Sequence, residues 1–96
     1  MPIAPPGANP SAEVIALKAL GFLAAEPERL QRFMDLSGLD VQAIRHSAAD
    51  APFLGGLLDY LLADQTLLLL FAESEQIPPE RIAQIRRQLP GATDDF

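Results

Sequence analysis

Residues 53–72, FLGGLLDYLLADQTLLLLFA, decide the fold of this chain. Among these twenty residues only Asp59 and Asp64 are charged, and the stretch ends in four consecutive leucines, a phenylalanine and an alanine. Burying one leucine or phenylalanine side chain stabilises a fold by about 1.5–3 kcal/mol, so a helix this apolar is not stable in contact with water. We therefore expect the other segments of the chain to cover this stretch.

A break near the middle of the stretch is predicted from the position of Asp64. In one unbroken helix, Asp64 would lie within a stripe of leucine and aromatic side chains, and an unpaired buried carboxylate is costly. At the N-cap of a second helix, the same side chain accepts a hydrogen bond from a free backbone N–H group. We predict two helices at an angle, over about residues 52–62 and 64–75.

The stretch is also long enough to cross a membrane, which takes about twenty apolar residues. However, Asp59 and Asp64 lie near its middle, and inserting each would cost roughly 2.5–3.5 kcal/mol. Its flanks carry Asp50, Glu73 and Glu75 and no basic anchor. We expect no membrane span.

The composition indicates one small acidic domain. The chain has 96 residues, of which 49% are hydrophobic, and a formal net charge of −6, and this length supports a single modest core. The absence of cysteine excludes disulfides, thiolate metal sites and cysteine nucleophiles. The negative charge repels nucleic acid and anionic lipid.

The domain is expected at residues 9–90. Residues 1–8, MPIAPPGA, are predicted to be a disordered Pro-rich tail, and residues 91–96 a frayed acidic tail. The first tail lacks the basic residues of a secretory signal. We expect a cytoplasmic protein.

Capping residues and prolines predict further helices around the central pair. These helices run to about residue 25, over about 27–37, over about 41–48 and from 79 to about 89. Their ends are marked by Asn9, Pro10, Pro27, Gly38, Asp40 and Pro79, and Asp50 is the expected cap of the central pair. No segment alternates like a strand. The predicted fold is all-α, a compact bundle of five or six short helices.

The periodicity of the first and last helices predicts which faces are buried. In the first helix Val14, Leu17, Leu20, Gly21 and Ala24 lie on one side, and Ile15, Ala19, Phe22 and Leu23 widen the apolar surface, so a central helix is expected. Gly21 costs about 1 kcal/mol relative to alanine in a helix, so it is expected either to allow a close crossing with Gly55–Gly56 or simply to be tolerated. In the last helix, the outer face is expected to hold Arg81, Arg86 and Arg87.

Residues 30–47 have the spacing of a helix-turn-helix, in which Gly38 joins two short helices and Met34, Leu39 and Ile44 are placed to pack them together. In the second of these helices Val41 and Ile44 are expected to point inward. A DNA-binding role would present Gln42, Arg45 and His46 to base edges. Phosphate contacts need more positive charge than this helix carries, since acidic residues surround it. A DNA-binding regulator is therefore the alternative function and not the preferred one.

No motif of an enzyme or a metal site occurs in the sequence. It lacks HExxH, GxSxG, a phosphate-binding glycine loop and an EF-hand loop, and the sole histidine, His46, has no partner for a two-histidine site. Asp59 and Asp64 diverge by about 140° on a helix, so we expect Asp59 in solvent or paired with an arginine and Asp64 as a cap. We expect no enzyme, no cofactor and no bound metal.

Two long segments of the sequence resemble a known protein family. They are ALKALGFLAAEPERLQRFMDLSGLDVQAIR and APFLGGLLDYLLADQTLLLLFAESEQIPPE, and the resemblance covers residues 16–90. The family consists of short bacterial proteins, mainly alphaproteobacterial, that are known only as a domain of unknown function. One departure is Gln65, where the family pattern has an acidic residue. The resemblance implies a cytoplasmic helical domain and supplies no catalytic residues.

The function predicted from these observations is a non-enzymatic protein–protein interaction module, an adaptor or small regulator. Leu67, Leu70 and Phe71 are expected in the core, and the candidate partner-binding residues on the other side are Leu58, Leu62 and Leu69. Uncovered together, these three leucines would form a patch large enough to mark an interface. The expected partner is another protein or a second copy of the chain, and a self-associating structural protein is a further alternative.

Overall fold

The computed structural model describes residues 10–90, which form six helices. They are α1 (Pro10–Ala24), α2 (Pro27–Ser37), α3 (Val41–Ser47), α4 (Ala51–Leu62), α5 (Gln65–Glu75) and α6 (Pro79–Arg87). Residues 10–90 contain no strand, and the Cα radius of gyration is 13.0 Å, as expected for a folded chain of about 100 residues. The predicted all-α bundle is confirmed. The predicted tails and the cap at Asn9 lie outside the described residues.

The predicted break in the leucine-rich stretch is confirmed. α4 ends at Leu62, and α5 begins at Gln65 after a bend of 111°. Asp64 is the N-cap of α5, where its Oδ1 accepts a hydrogen bond from the backbone N–H of Leu67 at 3.2 Å. The local chemistry of one aspartate therefore turns a single apolar run into two short helices.

α4 is the centre of the bundle and contacts α1, α5 and α6. It contributes four fully buried leucines, and α1, α2, α5 and α6 contribute most of the rest of the core. Edge-to-face aromatic pairs join the helices: Phe22 packs on Phe71 with ring centroids 5.4 Å apart, and Phe33 packs on Tyr60 at 5.0 Å. The largest buried side chains are Leu23, Leu54, Leu57, Leu58, Leu61, Phe71 and Ile82.

Of the apolar surface predicted for α1, the side with Val14 and Leu17 faces outward, whereas Ala19 and Leu23 are buried. The residues of α1 that face the core are Ala12, Ala16, Ala19 and Leu23. Val14 is 50% exposed and Leu17 is 44% exposed. α1 packs against α4, α2 and α6, and the small side chains of its buried alanines allow neighbouring helices to approach closely.

Gly21 does not mark a close helix crossing within the chain. It is exposed, and a Cβ atom built on it would meet no other atom within 4 Å. The tightly packed glycine is Gly55, on α4, whose neighbours belong to the C-terminal part of the chain. The two sites are therefore not complementary surfaces of one crossing.

The turn between α2 and α3 follows the sequence prediction. Gly38 adopts the left-handed conformation with φ 77°, and its N–H donates to the carbonyl of Met34 at 2.8 Å. Asp40 caps α3 by accepting from the N–H of Ala43 at 2.8 Å. Of the seven residues of α3, Ile44 is buried, whereas Val41, predicted to face inward, is 46% exposed.

Asp50 occupies the N-cap position of α4, as predicted, but its side chain makes no capping hydrogen bond. Its carbonyl accepts the first intrahelical bond, from the N–H of Leu54 at 3.0 Å. Pro79 is the first residue of α6, also as predicted.

Within residues 10–90, no single helix has both the length and the hydropathy to cross a membrane. α4 and α5 meet those criteria only when taken together, and they are bent by 111° at the break between them.

Candidate protein-interaction surface

The three predicted partner-binding leucines do not form one patch. Leu58 is completely buried, Leu62 is partly buried against the core, and Leu69 is 46% exposed. The expectation that Leu58 would be uncovered is wrong, because α1, α5 and α6 surround α4. The 111° bend also separates the α4 leucines from the outer face of α5.

Two adjacent leucines define the exposed face of α5. Leu69 is 46% exposed, and Leu70, predicted to lie in the core, is 42% exposed. They lie about 100° apart around the helix, on either side of Glu73. Phe71 is fully buried, as predicted. The outward face of α5 therefore carries an apolar side chain on each side of Glu73.

Leu69 lies in a shallow groove that runs between α5 and the start of α6. We call this surface the α5–α6 groove, and its lining residues are Leu69, Ala72, Glu73, Gln76, Ile77, Pro78 and Pro79. Most of this lining is apolar, with one carboxylate from Glu73. Leu70 is not part of it.

The wall of the groove is held in place by the end of α5 and by two prolines. Gln76 ends α5 in the left-handed conformation with φ 57°, and the N–H of Ile77 donates back to the carbonyl of Ala72 at 2.9 Å. Pro78 and Pro79 follow, and their rings fix φ. A wall of this kind loses little conformational entropy when a partner binds.

Arg86 is the residue whose position the sequence prediction missed. It was expected on the outer face of α6, but it is only 6% exposed. Its Nε donates to Asp59 Oδ1 at 2.7 Å, and its Nη2 donates to Asp59 Oδ2 at 3.0 Å. Arg81 and Arg87 are exposed, as predicted. The bidentate pair joins α6 to α4, so Asp59 has the arginine partner that the sequence allowed.

The remaining amino group of Arg86 binds the chain after α6. Nη1 donates to the carbonyl oxygens of Leu89 at 3.3 Å and Pro90 at 3.2 Å. The guanidinium therefore satisfies four acceptors at once, which offsets the cost of burying its charge. The sequence contains one hint of this arrangement. Gly55 and Asp59 are one helical turn apart on α4, so a residue without a side chain lies next to a carboxylate that an arginine can bind.

The two acidic residues of the leucine-rich stretch have separate structural roles. Asp59 binds Arg86, and Asp64 caps α5. Within residues 10–90, no group of three or more histidine and acidic side chains is placed to hold a metal ion. The candidate DNA-reading residues of α3, Gln42, Arg45 and His46, are all exposed.

The structure thus defines a six-helix, all-α protein with an apolar groove on α5. Comparison with protein families gives a match over residues 9–92 to the family described as a protein of unknown function, DUF3572, and the chain belongs to this family. No curated protein and no solved structure matches the chain.

Proposed function

We propose that this protein is a non-enzymatic interaction module that binds a partner protein through the α5–α6 groove. The observation that carries the proposal is the exposure of Leu69 inside a groove with a preformed, proline-containing wall. A single exposed leucine is common on protein surfaces. A leucine beside Ile77 and two prolines offers a shallow apolar surface, on which an apolar anchor residue of a partner can pack.

The expected partner is a protein segment with an apolar anchor next to a basic residue. Glu73 lines the groove, and the whole chain has a net charge of −6. A basic residue beside the anchor is therefore attracted during approach and can pair with Glu73.

A binding role also agrees with how the acidic residues are used. Asp59 is bound to Arg86 and Asp64 caps a helix, so neither is free for general acid–base chemistry. A cytoplasmic location, predicted from the sequence, is part of the same proposal.

DNA binding is the second candidate. The exposure of Gln42, Arg45 and His46 on α3 favours it, because a recognition helix presents such side chains to base edges. The acidic side chains of Asp35, Asp40 and Asp50 are exposed as well. The charge near α3 thus repels phosphate, and the interaction module is the better supported function.

The test compares two leucines of α5 that are similarly exposed, Leu69 at 46% and Leu70 at 42%. A photo-crosslinking amino acid is placed at position 69 or at position 70 in the full chain, and crosslinked proteins are identified after illumination of the native cells. The partner is then purified, and its affinity is measured for the wild-type protein, Leu69→Lys and Leu70→Lys by calorimetry.

We expect one protein to crosslink from position 69, and we expect Leu69→Lys to weaken its binding by at least about tenfold, or roughly 1.4 kcal/mol. Leu70→Lys is the matched control and should bind like the wild type. Circular dichroism checks that both variants are folded. Equal losses for the two variants, or binding unaffected by Leu69→Lys, would contradict the proposal.

A further inference from the structure

α1 carries a second apolar surface, which the α5–α6 groove does not include. Val14, Leu17, Gly21 and Ala24 all lie on the exposed side of this helix. Their spacing of three, four and three residues is that of the a and d positions of a coiled coil. We call these four residues the α1 seam.

The rest of α1 fits the same heptad register. The b, c and f positions face the core of the domain, and they are Ala12, Ile15, Ala16, Ala19, Phe22 and Leu23. α1 is therefore apolar on the side that packs against α4 and again on the side that faces outward. A helix that is apolar on two opposite sides is normally covered on both.

We propose that the α1 seam binds the α1 seam of a second copy of this chain, with the two helices parallel. This inference goes beyond the proposed function, because it concerns a different helix and a different partner. A closed two-fold dimer uses the same surface on both copies, so each seam would cover the other.

The two charged residues of α1 favour a second copy in the parallel orientation. Glu13 precedes the seam at a g position, and Lys18 occupies the e position five residues later. In parallel two-stranded coiled coils, a g residue meets the e residue five positions on in the other helix, and opposite charges there set partner and orientation. Glu13 of each copy would therefore meet Lys18 of the other.

An antiparallel pairing of the same seam loses this match. If the two seams are antiparallel and aligned about their midpoints, Glu13 would lie opposite Ala25, and Lys18 opposite Leu20.

Lys18 also has a partner within its own chain. Its Nζ lies 3.5 Å from Glu75 Oε1, and the Lys18 side chain is 53% exposed. An ammonium group has three donors, so this exposed pair leaves Lys18 able to bind a second carboxylate.

The C-terminal half of the seam allows two helices to approach closely. Gly21 has no side chain, and a Cβ built on it meets no atom within 4 Å. Ala24 adds one methyl group. Val14 and Leu17 supply the larger apolar side chains at the other end, where they are 50% and 44% exposed.

The first experiment measures the size of the protein by sedimentation at physiological salt over a range of concentrations. We expect the wild-type chain to form a dimer and Leu17→Lys to be a monomer, because the substitution places an ammonium group in the seam. Leu36→Lys is the control, since Leu36 is 69% exposed on α2 and outside the seam. A wild-type chain that stays monomeric at all concentrations would overturn the proposal.

The second experiment tests the charge pairs with two variants that keep the seam intact. Glu13→Lys and Lys18→Glu each bring like charges together twice, so each alone should raise the dimer dissociation constant by at least about tenfold. Mixed together, the two variants should form heterodimers, because opposite charges then meet at both sites. Unchanged self-association of each variant would contradict the parallel seam.

Cysteine crosslinking tests the orientation directly, since the natural chain has no cysteine. In a parallel dimer, Val14→Cys should form a disulfide with itself across the two copies, and so should Ala24→Cys. A disulfide that forms only between the two variants when they are mixed would show an antiparallel pair and overturn the orientation. Melting curves of each variant confirm that it is folded, and failure of these tests leaves the α5–α6 groove unaffected.

Discussion

Gly55 leaves room for the guanidinium of Arg86. A Cβ at position 55 would lie 2.6 Å from Arg86 Nη1 and 3.0 Å from the carbonyl oxygen of Pro90. The first distance is shorter than any normal contact, and Arg86 is held by hydrogen bonds to three residues. The position therefore requires glycine although it lies inside a helix, where glycine has a low propensity.

We predict opposite effects of alanine at the two neighbouring glycines of α4. Gly55→Ala should destabilise the fold by about 1–3 kcal/mol, because it forces a buried, hydrogen-bonded arginine to move. Gly56→Ala should stabilise it by up to about 1 kcal/mol, since Gly56 is exposed and has no atom within 4 Å of its added Cβ. Urea unfolding of both variants measures the difference. A gain in stability for both would show that Arg86 adapts without cost.

A second prediction concerns the coupling between Asp59 and Arg86. Asp59→Ala should cost roughly 1–3 kcal/mol, because it leaves a buried guanidinium without its carboxylate. The Asp59 side chain is 56% exposed, so water compensates in part and we expect the lower half of that range. In the presence of Arg86→Met, the same Asp59→Ala change should cost almost nothing. Additive losses in this double-mutant cycle would mean that the two residues act independently.

The N-caps of α4 and α5 provide a third prediction with an internal control. Asp64→Ala removes the hydrogen bond to the N–H of Leu67 and should cost about 1 kcal/mol. Asp50 occupies the equivalent position of α4, where its side chain makes no capping hydrogen bond. Asp50→Ala should therefore lower the free energy of unfolding by only a few tenths of a kcal/mol. Thermal melts monitored by circular dichroism compare the two. Equal losses would show that the Asp64 cap contributes nothing specific to the bend.

The fourth prediction concerns DNA. We expect no binding to duplex DNA at physiological salt, because α3 presents Arg45 in acidic surroundings and the chain carries a net charge of −6. Fluorescence anisotropy with labelled duplexes at several salt concentrations measures this. Tight binding that weakens with salt and is lost in Arg45→Ala would favour the helix-turn-helix function over the interaction module.

The sequence predicted the features that depend on local chemistry. The break at Asp64, the left-handed Gly38 and the start of α6 at Pro79 each follow from a residue type and its immediate neighbours. Such preferences act within one turn of a helix, so they can be inferred from the sequence of one protein.

The rotation of α1 and the burial of Arg86 depend on distant parts of the chain. Because apolar residues occupy most of the surface of α1, its periodicity does not select the inner face, and the fold buries the side that holds Ala12, Ala16 and Ala19. Arg86 is buried because Asp59 and Gly55 lie opposite it in the fold.

The candidate site was predicted in part. The exposure of Leu69 agrees with the sequence prediction, and that of Leu58 does not. Leu58 is buried because α1, α5 and α6 surround α4, and the 111° angle between α4 and α5 separates Leu62 from Leu69. The sequence predicts that a bend is present but contains no local signal for the bend angle. That angle determines which leucines lie on the same surface.

The small buried surface of α3 has a consequence for how the molecule opens. One of its seven residues, Ile44, is buried, whereas α4 buries five of twelve. Local opening requires little free energy where few apolar contacts are lost. We therefore expect the backbone amides of α3 to exchange with deuterium well before those of α4, because residues 41–47 can open while the leucine-rich centre stays closed.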